Sequence, residues 1–256
     1  MKNILPVEVF EKLLNILPTP KQNRKGRKRC NKALLLKGIL IVLRYDIPWN
    51  NLDIDSVSGT SCWRYFNEIQ RRGILKRIHK ALANESLNIN ICSIDTSTTT
   101  SFRFKSCTGW DGKHKKIGTK ISALSDENGL PFDLDFGKGS KHDLKFLDKH
   151  IKNTVGKRKK ILSLDKGYTS IEKRRSLRKK GIKVNMETRK NDYLRKKGPK
   201  FSLDQQIYQT RFNLERTFSW LKSFRRIRIR KDRHVAMFKA FTYLAVIIVL
   251  IRSFAF

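Results

Sequence analysis

Acidic residues are the scarce component of this chain. Its 256 residues hold 22 Asp and Glu against 57 Lys and Arg, a formal net charge of +35 with a sequence pI near 10.4. So one-sided a charge repels itself in a compact state. It excludes an ordinary near-neutral globule and points to a polyanionic partner, with nucleic acid ahead of ribosomal RNA or an anionic membrane surface. Cysteine is sparse too. Cys30, Cys62, Cys92 and Cys107 form no Cys-x-x-Cys pair and have no paired His nearby, which excludes a zinc site and reads as reduced, buried, intracellular thiols.

Long apolar runs are also missing. The start of the chain is interrupted by Glu8 and Glu11, so it fails as a secretory segment; Val7, Phe10, Leu14 and Leu17 suit an amphipathic helix instead. At the other end, Ala240 to Ile251 is apolar for only 12 residues, against about 20 for a bilayer span. A buried C-terminal helix, no membrane partner and a cytoplasmic, nucleoid-associated location are expected.

What is present is enough for a core: 39% hydrophobic residues, including 15 Phe and 4 Trp. Residues 21–32 carry seven basic side chains in twelve and read as a basic arm suited to phosphate contact. Helical periodicity follows over Ala33 to Arg44, a turn at Ile47-Pro48-Trp49, then helices carrying Trp63, Phe66 and Ile69, and Leu75, Ile78 and Leu82. These predict an α-helical, helix-turn-helix-like N-terminal module over residues 1–86.

From residue 87 the period changes to two. Strands are expected over Asn88 to Asp95 and Ile117 to Ala123. After the turn Asp126-Glu127-Asn128-Gly129 comes a return strand with Leu130, Phe132, Leu134 and Phe136 on one face and Asp133 and Asp135 on the other. A helix near Leu144 to Ile151, a strand Lys160 to Asp165, a basic helix at 170–180, a strand Ile182 to Met186 and long helices from about 203 complete an α/β domain with a mixed sheet over 87–256.

Two aspartates end buried strands: Asp95 after Ile91-Cys-Ser-Ile, and Asp165 after Ile161-Leu-Ser-Leu. Strand ends are where α/β sheets open to a cleft. A third group stands on one helix. At about 100° per residue, Tyr208, Arg211, Glu215 and Lys222 share a stripe roughly 60° wide, bordering an apolar stripe of Leu203, Ile207, Leu214, Phe218 and Leu221. Three carboxylates in a basic chain suit hard divalent ions, which take oxygen ligands together with substrate phosphate oxygens. Arg211 and Lys222 would hold flanking phosphates.

In these residues the sequence resembles the DDE transposases of bacterial insertion sequences, the branch with the Tyr-x2-Arg-x3-Glu-x6-Lys motif. Tyr208, Arg211, Glu215 and Lys222 reproduce its intervals. Ser93-Ile-Asp95-Thr-Ser, Leu164-Asp165-Lys166-Gly167-Tyr168, Gly118-Thr119-Lys120-Ile121 and the stretch ending at His142 and Asp143 resemble its other segments. The resemblance implies a ribonuclease H-like catalytic core with Asp95, Asp165 and Glu215 as ligands of two Mg²⁺ (or Mn²⁺) ions. It implies cleavage at the inverted-repeat ends of an element, then strand transfer into target DNA. Partners would be double-stranded DNA and further copies of the chain, as a homodimer or higher oligomer. Tyr208, Arg211 and Lys222 would position DNA, and His142 would neighbour the active site. The excess cations of 151–200, where 19 Lys and Arg face four acids, and of Lys222 to Arg233 extend the DNA track, taking in Lys166, Arg225 and Arg226. A nuclease on the same core, or a catalytically silent DNA-binding descendant, are the alternatives. The Ser/Thr-rich run Thr96 to Thr100 has no evident role.

Overall fold

The computed structural model describes residues 4–20, 28–54, 57–86, 90–154, 160–168, 170–187 and 203–254. The densest part of the basic arm, 21–27, and much of the basic tract at 155–159 and 188–202 lie outside them, as do Asn88 and Ile89. The chain divides into two compact units, residues 83–219 and a second formed by 1–82 with 220–256. The segment from Trp220, expected in the same domain as residues 87–219, thus packs with the N-terminal helices.

That second unit is helical. It contains α1 (Val7–Ile16), α2 (Lys32–Tyr45), a small hairpin of β1 (Asp53–Ile54) and β2 (Val57–Ser58), α3 (Gly59–Arg71), and most of α4 (Ile74–Ser86). The Asn31 side chain caps α2 by accepting from the Ala33 amide at 2.7 Å, and Ser58 caps α3. Gly73, at φ +62, makes the tight turn between α3 and α4. The unit is closed by α9 (Val235–Phe254), whose Phe241 ring lies 4.4 Å from Phe66 and 6.1 Å from Trp49. At 20 residues this helix is longer than the apolar run suggested, and by length and composition it could cross a bilayer. Its burial from Met237 to Ile251, apart from Lys239, is that of a core helix. Trp220 lines a cavity of about 470 Å³ with Ile248 and Val249 and stays 44% exposed.

The other unit is built on a mixed sheet. Its strands are β3 (Ile91–Ser101), β4 (Gly109–Asp111), β5 (Lys116–Ser125), β6 (Pro131–Lys138), β7 (Lys160–Leu164) and β8 (Ile182–Met186). They run in the order β4-β5-β3-β7-β8, with β6 pairing β5. The β3, β5 and β6 pairings are antiparallel, and β3-β7-β8 are parallel. Helix α5 (Leu144–Thr154) crosses from β6 to β7, and α6 (Ile171–Lys179) from β7 to β8. Ile94, Leu124, Leu147, Ile151, Leu162 and Leu177 lie in one buried cluster. The Thr96 to Thr100 run is the far half of β3, paired along Thr119 to Ser122 and Gly118 of β5, where β-branched threonines fit well.

Asp133 and Asp135, on the opposite face of β6 from Leu134 and Phe136, are buried as well, because α5 covers their face. His150 of α5 bonds Asp133 through Nδ1 at 2.7 Å and Ser122 through Nε2 at 2.9 Å, while Lys141 and Lys149 pair with Asp135. A polar helix face thus covers the polar strand face.

Candidate active site

The parallel register of β3 on β7 brings the two aspartates together. Ile91 pairs Ile161, Cys92 pairs Leu162 and Ser93 pairs Ser163. Two residues further at the same offset are Asp95 and Asp165, on adjacent strands that run about 4.8 Å apart. The Asp95 carboxylate accepts from the Thr96 amide at 2.8 Å, and Asp165 from the Lys166 amide at 2.8 Å. Beyond Asp165 the chain makes a 3₁₀ turn, closed by the Tyr168 amide donating to the Asp165 carbonyl at 2.9 Å.

The third carboxylate arrives from α8 (Arg211–Ser223), preceded by the short α7 (Gln205–Gln209). The break at Thr210 divides the stripe expected on one helix: Tyr208 stands on α7 and Arg211, Glu215 and Lys222 on α8. Helix α7 is moored to the end of β8, since the Asn185 side chain bonds the Asp204 backbone at 2.8 and 2.9 Å and Asp204 caps the helix. Helix α8 is moored to the β5–β6 turn. Asn213 Nδ2 donates to the Glu127 carbonyl and Thr217 Oγ1 to that of Gly129, both at 2.8 Å. Gly129 has φ +82, and a Cβ there would lie 2.5 Å from the Asn213 backbone, so only glycine allows this approach.

Arg211 is buried, 3.4 Å from the exposed Glu215 carboxylate and 5.5 and 5.2 Å from the Tyr208 and Phe212 ring centres. The charges of Arg211, Glu215 and Asp165 all act on Asp95, which puts the three carboxylates in one neighbourhood. Burial, reinforced by the two like charges and opposed by the Thr96 amide and Arg211, pushes Asp95 up to about 6. Tyr168 is buried beside the same groups. Burial, with the fields of Asp143, Asp95 and Asp165, drives its hydroxyl well above the usual tyrosine range.

Two buried donors here, the Tyr168 hydroxyl and Arg211 Nε, find no hydrogen-bond partner among the described residues. Among the described residues no three His, Cys, Asp or Glu side chains stand close enough to share one metal ion. The donor set nonetheless suits a hard divalent cation: all-oxygen ligands, mutually repelling carboxylates, and idle donors beside them.

The remaining expected residues divide. Lys166 is exposed and pairs with Glu187 at 2.5 Å, which raises its pKa. Lys222 is half-buried two turns beyond Glu215 on α8, within the helical unit, where Arg225 is exposed. Arg226 is a correction. It is buried between Asp46 at 2.8 Å and Asp232 at 2.6 Å, an internal ion triad with no surface for phosphate. His142 is exposed, and its Nδ1 accepts from the Leu144 amide at 3.3 Å, so it caps α5. The next residue, Asp143, reaches inward instead. It accepts from Thr96 Oγ1 at 3.1 Å and Lys120 Nζ at 2.9 Å, tying α5 to the strand segment beside Asp95. Asp143 ends the same stretch as His142, and its half-burial beside Lys120 is what distinguishes it.

A mixed sheet of this order, with the carboxylate pair on its central parallel strands, defines a ribonuclease H-like α/β core. The fold matches the piggyBac transposase in its synaptic complex with hairpin DNA, at a TM-score of 0.60 and 13% identity, over 97% of this chain and 71% of that one. Residues 88–250 match the family described as "Transposase DDE domain", so the chain belongs to that family; residues 5–79 match "Putative transposase of IS4/5 family". Two curated relatives are from the insertion element IS402 of Burkholderia cepacia. An uncharacterized 16.2 kDa protein is 29% identical over 107 residues, 38% of this chain and 73% of the relative. A "Putative transposase" is 27% identical over 133 residues, 48% of this chain and 58% of the relative. The chain is thus a DDE transposase of the bacterial insertion-sequence type.

Proposed function

We propose that the chain binds the inverted-repeat ends of its element as double-stranded DNA, cleaves them, and transfers the freed 3′ ends into target DNA as a homodimer or higher oligomer. The observation carrying this reading is the register that sets Asp95 beside Asp165, with Glu215 acting on the same neighbourhood. Asp95, Asp165 and Glu215 would hold two Mg²⁺ or Mn²⁺ ions. The chemistry such ions supply when bound is activation of the attacking oxygen and stabilisation of the leaving one.

The chain's own residues do the rest. Arg211, flanked by the Tyr208 and Phe212 rings, keeps its guanidinium plane for a phosphate that would displace Glu215. Lys166, Lys222 and Arg225 add cationic contacts to the DNA backbone. Tyr168 keeps a hydroxyl donor in reserve for a carboxylate oxygen, and Asp143 holds Thr96 so that Asp95 keeps its orientation.

The test is a two-stage assay with linear DNA carrying candidate ends. Nicking at the ends in Mg²⁺, followed by joining of pre-nicked ends to a target plasmid, is the expected result. Cutting without joining would leave a nuclease, and binding without cutting a silent DNA-binding protein.

A further inference from the structure

The segment between β3 and β5 presents an unusual surface. Phe102 and Trp110 are 59% and 56% exposed, among the most exposed large apolar side chains of the described residues. Between and beside them Arg103, Lys105, Lys113 and Lys115 are exposed. The single acid of the segment, Asp111, is turned inward and consumed. It accepts from Thr98 Oγ1, from the amides of Lys113 and His114 at 3.1 and 3.2 Å, and pairs with His114 Nδ1 at 3.0 Å. Burial alone would raise its pKa; these bonds hold it down to about 2. The exposed charges of the segment are therefore cationic, set beside exposed aromatic rings.

The segment is also built to hold its shape. Trp110 lies on the edge strand β4, pairing Ile117, with Asp111 inward and the indole outward. Thr119 Oγ1 donates to the Cys107 carbonyl at 2.7 Å, fixing a residue at φ 60. Phe102 and Phe104 meet edge to face, 6.1 Å between centres. Aromatic faces interleaved with cations are the platform on which unpaired bases stack while the backbone is neutralised.

We propose that Phe102 and Trp110, with the surrounding Arg103, Lys105, Lys113 and Lys115, form a stacking platform for unpaired bases of DNA flanking the cleavage site. The platform begins directly after β3. From Asp95 to Ser101 is six residues of strand, about 20 Å at ~3.4 Å per residue. A strand leaving the carboxylates at ~3.4 Å per base reaches it within roughly six nucleotides. The inference rests on the chain being a DNA-acting enzyme, as proposed above.

Fluorescence anisotropy in chelator tests it, comparing a blunt duplex with the same duplex bearing a single-stranded extension of about ten nucleotides. The wild-type chain is expected to favour the extension by about fivefold or more, the lower end of what one stacked base contributes. F102A/W110A is expected to abolish that preference while keeping wild-type affinity for the blunt duplex and an unchanged Tm, since both rings are exposed. K113A/K115A is expected to weaken both DNAs alike. Equal wild-type affinity for the two DNAs, or equal loss on both in F102A/W110A, overturns the platform. So does a wild-type dimer that F102A/W110A converts to monomer without changing DNA preference, because the rings would then be an interface between copies. Absence of any wild-type DNA binding would instead defeat the proposed function itself.

Discussion

Asp95 is held in a place where its charge is unfavourable, and that gives a measurable signature in the metal-free protein. Its folded-state pKa of about 6 stands above the ordinary 3.8. Between those values the folded chain keeps a proton that the unfolded chain has released, so the contribution to stability falls as pH rises from about 4 to about 6 and stays lost above. At ~1.4 kcal/mol per pH unit the gap comes to about 3 kcal/mol. Asp95→Asn removes the charge but keeps the oxygen that accepts from the Thr96 amide, so the variant is expected to be more stable than wild type by up to about 3 kcal/mol at pH 8. Near pH 4 the difference should vanish. In thermal melts with chelator this is a rise of roughly 6 °C, taking about 2 °C per kcal/mol for a chain of this size. Added Mg²⁺ should stabilise wild type and leave the variant unmoved. A variant no more stable than wild type at pH 8, or a gap that persists unchanged at pH 4, would refute the reasoning.

Other consequences are equally open to measurement. Arg226→Ala leaves Asp46 and Asp232 as buried, half-paired carboxylates and should cost about 3–5 kcal/mol in urea unfolding. Tyr168→Phe removes a buried hydroxyl that has no partner among the described residues, so the metal-free Tm should rise slightly while Mn²⁺ affinity by calorimetry falls several-fold; unchanged affinity would remove the hydroxyl from the site. His150→Ala strands Ser122 and Asp133 inside the α5 interface and should destabilise by roughly 2–4 kcal/mol in the same unfolding assay. Gly129→Ala forces α8 away from the β5–β6 turn and should lower DNA cleavage far more than DNA affinity, read as a single-turnover rate against an anisotropy titration.

How much of this was legible in the sequence depended on whether a feature is local. Asp95 and Asp165 could be found because each follows an apolar strand run, and equal offsets then put them side by side; the strand end expected at Asp95 was wrong, since β3 continues through the threonines to Ser101. Most strands and helices from 91 to 186 follow from periodicity and turn chemistry; the short edge strand β4 and the threonine half of β3 lack the apolar alternation that would have marked them. Arg226 was misread because a run of cations looks the same whether solvated or buried, and Asp46, 2.8 Å away, is 180 positions distant in the chain. For Asp133 and Asp135 the alternation reports two faces and says nothing of what covers each, so their burial under α5 was not legible. The break at Thr210 escaped because the helical wheel extends through any residue with helical propensity; here the side-chain hydroxyl bonds back to the Ile207 carbonyl at 2.8 Å as one helix ends. Asp143 lost out to His142 because residue type favoured the histidine, while geometry turns the aspartate inward.

The most direct test of the account is the single-turnover cleavage rate of end-bearing DNA in Mg²⁺ for Asp95→Asn, Asp165→Asn and Glu215→Gln, each measured beside its DNA affinity. The account predicts that every one of the three loses cleavage by at least about a thousandfold, of the order removed with a principal catalytic group, while DNA binding stays within a few-fold of wild type. A variant that cuts at the wild-type rate would contradict the assignment of its carboxylate, and wild-type rates in all three would remove the site altogether.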